Sequence, residues 1–283
     1  MILDSRACEA LRRAALAGDV LPASLEAFDQ FTLPGLMEML ATAIDMSTDN
    51  PFLLHFQQPR QTHTKAVSSC WQVWNEQEPS SLETDIHGTR KLEFYRLRAR
   101  EDQINARYQL YRERFVRSLK SAGFAKEFAY ALAGALGEMT DNVVQHSRSD
   151  LGEFTGLAGY HVRHGYMAFS VVDIGRGVLA SLTSSPNWQH LRTPTDALRA
   201  AVCENASCRV DHPAGDGFRT LFRSLTDRNG LLRFRSDTAL LTLGDGGHAR
   251  QGIEMSSPAL SGLQLSVCCA LTGTADERVI EIS

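Results

Sequence analysis

No apolar run in the chain approaches the ~18 residues that a bilayer-crossing helix requires. The opening "MILDSRACEALRR" also lacks a basic-then-apolar leader. A cytoplasmic location with no membrane partner is therefore expected. The six cysteines, at 8, 70, 203, 208, 268 and 269, form no paired framework and no CxxC. That argues against a disulfide scaffold and for free thiols in a reducing compartment. Cys203, Cys208 and His212 lie close in sequence, but the stretch supplies no fourth zinc ligand. There is no internal repeat and no low-complexity tract. GxxxxGK[ST] is absent, which excludes a P-loop nucleotide site. The formal charge is only −4 over 283 residues, so the chain as a whole makes no case for nucleic-acid or membrane binding.

What is present is ordinary globular material. With 43% hydrophobic and 22% charged residues, the chain can bury the core of one large domain or two modest ones. Its charge is uneven. Arg90 to Lys120 holds ten Lys/Arg against four Asp/Glu, a local net of +6, which leaves −10 for the remainder. The same segment carries Ile104, Tyr108, Tyr111, Phe115 and Leu119 at helical spacing. This reads as an amphipathic helix with a solvated basic face; the alternative is a docking face for an acidic partner. Base-stacking aromatics are not interleaved with the basic residues, so nucleic acid is not the expected partner.

Along the chain, "SRACEALRRAALAG" and "LPGLMEMLATAIDM" have helical periodicity, with Pro34 suited to a first turn. "PFLLHF" reads as a short strand, and "NEQEPSSLETDIHGTR" as a loop and linker. Residues 1–95 are thus expected to form an N-terminal regulatory or interaction region, mainly helical or α/β, and 96–283 a second unit. A long helix is expected from about Leu92 to Leu119, stopped at Gly123, and another from Lys126 to His146. The strands "FTGLAGYHV" and "YMAFSVVD" follow, joined at His164-Gly165. Next come a helix in "TPTDALRAAVCEN", a glycine loop feeding a helix in "GDGFRTLFRSLTDRNG", and the strands "LLRFRS", "ALLTL", "GLQLSVCCAL" and "RVIEI". The fold class this gives is α+β: a two-layer sandwich, a mixed sheet with helices on one face.

Three elements carry chemistry. In "GEMTDNVVQHS", Glu138, Asn142 and His146 fall on one side of a helix whose other side, Leu132, Leu136, Met139 and Val143, is apolar. "DIGRG" places Asp173, Gly175 and Gly177 at the end of an apolar strand. "GDGF" places Gly215 and Gly217 just before a helix. Each alone has a bland reading as a solvated helix face or a turn. Together they supply what a metal-bound nucleotide needs. Glycines let backbone N–H groups reach phosphate oxygens at a helix start. A strand-end carboxylate can accept from a purine amino group. An asparagine carbonyl is a hard ligand for magnesium, and a carboxylate one turn away can take a proton from an attacking water.

The ordered set resembles the GHKL (Bergerat-fold, histidine-kinase-like) ATPase superfamily over about residues 105 to 271. "EMTDNVVQHS" is similar to its N box, "DIGRG" to its first glycine box, "GDGF" to its second, and "GLLRFRS" to the strand that follows. The resemblance implies ATP and Mg2+ as cofactors. It assigns magnesium coordination to Asn142, activation of water to Glu138 and adenine recognition to Asp173. Gly175 and Gly177 would permit close approach of the nucleotide, and Gly215 and Gly217 would hold the phosphates. Residues 178–214 would form a mobile lid. His146 and Asp141 receive no chemistry. The sequence departs from the family at Gly262-Leu263, where a Gly-Thr is usual, and in the shortness of the second glycine box. No phosphoacceptor histidine sits on a dimerising helix, so a complete sensor kinase is not expected. The resemblance points instead to a stand-alone regulatory ATP-binding protein in signal transduction with a protein partner. Slow ATP hydrolysis, kinase activity on the partner and self-association are left open. The alternative is a non-catalytic nucleotide-sensing or interaction module.

Overall fold

An Asp4 side chain that accepts from the Ala7 N–H at 2.8 Å starts the first helix, and Gly18, at φ +75°, ends it. The computed structural model describes residues 1–19, 21, 28, 30–46, 65–75, 80–83, 91–98, 101–146, 156–203, 230–244 and 253–271. In chain order these form β1 (Ile2–Leu3), α1 (Ser5–Ala17), β2 (Gln30–Phe31), α2 (Leu33–Met46), α3 (Lys65–Asn75), β3 (Ser80–Glu83), β4 (Lys91–Leu97) and α4 (Glu101–Ile104). Then follow α5 (Ala106–Ser121), α6 (Lys126–His146), β5 (Gly156–Arg163), β6 (Tyr166–Asp173), α7 (Gly177–Thr183) and α8 (Pro194–Cys203). The last described elements are β7 (Leu231–Ser236), β8 (Ala239–Leu243), β9 (Ile253–Ser256) and β10 (Gln264–Ala270). No helix among the described residues is long and apolar enough to cross a membrane.

The fold is α+β. Eight strands form one sheet in the order β3-β4-β5-β6-β10-β7-β8-β9, while β1 and β2 pair separately. The sheet was expected to be mixed. Every described pairing in it is antiparallel instead, because β5–β6 and β7–β8 are hairpins and β10 returns between β6 and β7. On one face, Met167, Phe169 and Val171 of β6 and Leu265, Val267 and Cys269 of β10 pack under α5, α6 and α8. This is the two-layer unit.

Alternate residues of the same strands, Tyr166, Ala168 and Val172 of β6 with Cys268 and Ala270 of β10, share a second core with α1, α2 and α3. Helices therefore cover both faces of the sheet rather than one. β6 and β10 are buried at every position, as strands covered on both sides must be. The expected division after residue 95 falls inside β4, and helices from residues 1–95 pack directly on the sheet.

A long helix was expected from about Leu92, but Lys91–Leu97 is a strand paired with β5. Phe94 and Leu92 face the N-terminal helices, while Tyr95 and Leu97 face α5 and α6. The helix proper starts later, where Asn105 caps α5 by accepting from the Arg107 N–H at 2.9 Å. Tyr108, Tyr111, Phe115 and Leu119 are buried as the periodicity requires, whereas Ile104 lies outside the stripe, 81% exposed. Gly123, at φ +97°, follows the end of α5. α6 and β6 have the expected bounds, and Leu132, Leu136, Met139 and Val143 are all buried. Ser80–Glu83, inside the expected linker, is a strand. "PFLLHF" and "RVIEI" lie outside the described residues.

Candidate functional site

Asp173 is the last residue of β6 and is only 5% exposed. Its N–H donates to the Leu263 carbonyl at 2.9 Å, and its Oδ1 accepts from the Gly175 N–H at 2.8 Å, an Asx turn. Burial pushes the Asp173 carboxyl up to about 7; hydrogen bonds from the Gly175 and Leu263 N–H groups pull the other way and do not offset it. A carboxyl in this state is poised between neutral and charged near neutral pH, and its protonation will respond to whatever it meets.

Two glycines make the surroundings of Asp173 tight. Gly262 has φ +78°, and a Cβ on it would stand 2.1 Å from the Asp173 carbonyl oxygen. Gly177, φ +75°, begins α7, and its Cβ would stand 3.1 Å from Ser236 Oγ and 3.4 Å from the Gly262 carbonyl oxygen. Ser236 Oγ joins these segments. It accepts from the Val178 N–H at 3.0 Å and donates to the Gly262 carbonyl at 2.7 Å. The end of β6, the end of β7 and the turn before β10 thus close on one another. Sequence reasoning assigned Ser236 no role. Its signal was the serine ending "GLLRFRS", but its partner lies 26 positions away.

α6 is brought to the same end of the sheet. Gly156 pairs with Asp173 across β5 and β6, and a Cβ on Gly156 would stand 2.4 Å from Val143 Cγ1. The missing side chain lets the helix settle onto the strand pair beside Asp173. Asn142, adjoining Val143, is half-buried, and Glu138, one turn earlier, is exposed. Gly175 is also half-buried. Gly215 and Gly217, the expected phosphate loop, lie outside the described residues, as does the side chain of His146. Of the expected lid, α7, the Pro186–Trp188 turn and α8 gather a small core of Leu182, Leu191, Ala197 and Ala200. Residues 204–214 lie outside the described ones.

Among the described residues no three His, Cys, Asp or Glu side chains gather into a metal site. Cys208 and His212 are not described; Cys8, Cys70, Cys268 and Cys269 are buried. Asn142 of α6 carries a hard carboxamide oxygen, the kind of donor that magnesium takes. The basic segment is partly engaged within the fold. Arg96 lies 4.9 Å from the Trp74 ring, Arg112 lies 5.9 Å from the Tyr108 ring, and Arg114 is ion-paired with the buried Glu93.

In comparisons with known proteins, no family model matches the chain, and no curated protein or solved structure matches it.

Proposed function

We propose that this protein is a cytoplasmic, regulatory ATP·Mg-binding protein of the histidine-kinase-like ATPase type, whose nucleotide state is read by a protein partner. The observation that carries the reading is the buried Asp173 carboxyl at a strand end, enclosed by two positive-φ glycine turns and flanked by the helix that bears Asn142. Asp173 has no ion pair among the described residues, and a buried acid of that kind costs folding free energy. A site that must accept a purine amino group gives that cost a purpose, since an unmet hydrogen bond discriminates strongly among ligands.

In this reading Asp173 binds the adenine amino group, Asn142 contributes an oxygen to Mg2+, and Gly175, Gly177, Gly215 and Gly217 let backbone reach the nucleotide. Glu138 orients or deprotonates water. The metal supplies charge neutralisation of the phosphates, and the chain positions them. A non-catalytic module is the second reading, favoured by Leu263 in the place where the family usually carries a hydroxyl.

Calorimetric titration with ATP and MgCl2 tests the proposal. Wild type is expected to bind and Asp173→Asn to bind far more weakly. No heat from wild type at millimolar ATP would remove the reading.

A further inference from the structure

Residues from three elements form a buried ionic cluster on the sheet face opposite α5 and α6. Arg233 and Arg235 of β7 meet Glu38 of α2, Arg233 also pairs with Glu9 of α1, and Arg12 of α1 pairs with Asp45 of α2. Among the described residues, three arginines face three carboxylates. Glu38 and Arg235 are fully buried. Such a cluster is weak grounds for stability, because desolvation offsets most of its attraction. Two of its arginines do something further. Arg12 Nε donates to the Ala259 carbonyl, and Arg235 Nη2 donates to the Pro258 carbonyl at 2.5 Å.

Pro258 and Ala259 open the segment that carries Gly262 and Leu263 to Asp173. That segment is tied at each step. Ser257 N–H donates to the Thr238 carbonyl at 2.8 Å, and Leu260 and Asp237 exchange backbone hydrogen bonds of 3.2 and 3.0 Å. Gly262 accepts from Ser236, and Leu263 is bonded to Asp173. From Ala259 to Gly262 the chain spans at most ~11 Å. A planar guanidinium can hold a carboxylate and a carbonyl at once, which fixes both α2 and the turn to α1.

We propose that Arg12 is a positioning residue for the nucleotide pocket: by gripping the Ala259 carbonyl it sets the turn that presses Gly262 and Leu263 against Asp173. The N-terminal helices thereby tune nucleotide affinity from the far side of the sheet, and a partner that shifts α1 would change it. This rests on the nucleotide reading of the Asp173 site.

The test compares Arg12→Gln with Glu9→Gln in the full chain. Both remove an ion pair from the same cluster, but only Arg12→Gln releases Ala259. ATP·Mg affinity is expected to fall on the order of tenfold in Arg12→Gln and to stay at the wild-type value in Glu9→Gln, whatever each does to the melting temperature. Without nucleotide, amide exchange at Leu260 and Gly175 should accelerate in Arg12→Gln alone. Wild-type affinity and exchange in Arg12→Gln, or equal changes in the two variants, would overturn the inference. Failure of wild type to bind ATP would instead overturn the nucleotide reading, and this inference with it.

Discussion

Gly262 and Asp173 are in a backbone contact that leaves no room for a side chain at 262: a Cβ there would stand 2.1 Å from the Asp173 carbonyl oxygen and 2.6 Å from its Oδ1. Gly262→Ala must therefore move either the turn or the end of β6, in addition to straining a positive φ. A loss of about 1–3 kcal/mol from overpacking is expected beyond the strain itself. Gly18→Ala provides the control, because Gly18 has φ +75° with nothing within 4 Å. It should lose only the strain of the left-handed backbone, about 1–2 kcal/mol. Urea unfolding of the two variants measures the difference, and equal losses would mean that the contact is not tight.

Asp173 sets a pH dependence whose sign follows from its raised value. The folded carboxyl titrates near 7 against an ordinary 3.8, so between these values the folded chain binds the proton more tightly than the unfolded chain. Its contribution is most favourable below the lower value and is lost as pH rises through the upper one, a swing of about 4 kcal/mol. Urea midpoints measured from pH 4 to 8 in wild type and in Asp173→Asn isolate it, and the variant should lack that part of the slope. ATP affinity should move the opposite way. If the Asp173 carboxylate accepts from the adenine amino group as proposed, binding should weaken below pH 7 by up to about tenfold per pH unit.

The seating of α6 beside Asp173 depends on Gly156. Gly156→Ala would drive a methyl group to 2.4 Å from Val143 Cγ1, pushing the Asn142 turn off the strand pair. A destabilisation of about 1–3 kcal/mol is expected. Val143→Ala in the same chain should recover part of it, which a double-mutant cycle reads directly. Additive losses would show that the two positions do not touch.

Glu138 stands exposed on the same helix, one turn before Asn142. Glu138→Ala should leave the fold within about 0.5 kcal/mol of wild type, as surface changes do. ATP binding should persist while any phosphate release is lost. Equal release from both proteins would remove Glu138 as the base.

The legible parts of the chain were those with one clear period. α6 announces itself through Leu132, Leu136, Met139 and Val143, and β6 through its uninterrupted apolar run. Lys91–Leu97 misled because Leu92 and Tyr95 are spaced as on a helix and continue smoothly toward Tyr108. In the fold, charged residues within that strand are buried or stacked: Glu93 meets Arg114 and Tyr160, and Arg96 meets Trp74. The second helical layer was hidden in the same way. Arg233 and Arg235 alternate with Leu232 and Phe234 in the manner of a solvent-facing strand surface, and Glu9 and Glu38, some two hundred residues earlier, help make that surface an interior. Asp173 and Gly177 could be singled out locally. The hydroxyl of Ser236 and the guanidinium of Arg12 could not, because each acts through a carbonyl far away in sequence.

Crystals grown or soaked with a non-hydrolysable ATP analogue and magnesium address the central proposal most directly. The adenine amino group is expected within hydrogen-bond reach of the Asp173 carboxyl, with the metal near the Asn142 oxygen and the phosphates directed toward residues 215–217. A nucleotide bound elsewhere, or a site at Asp173 that stays empty at millimolar analogue, would contradict it.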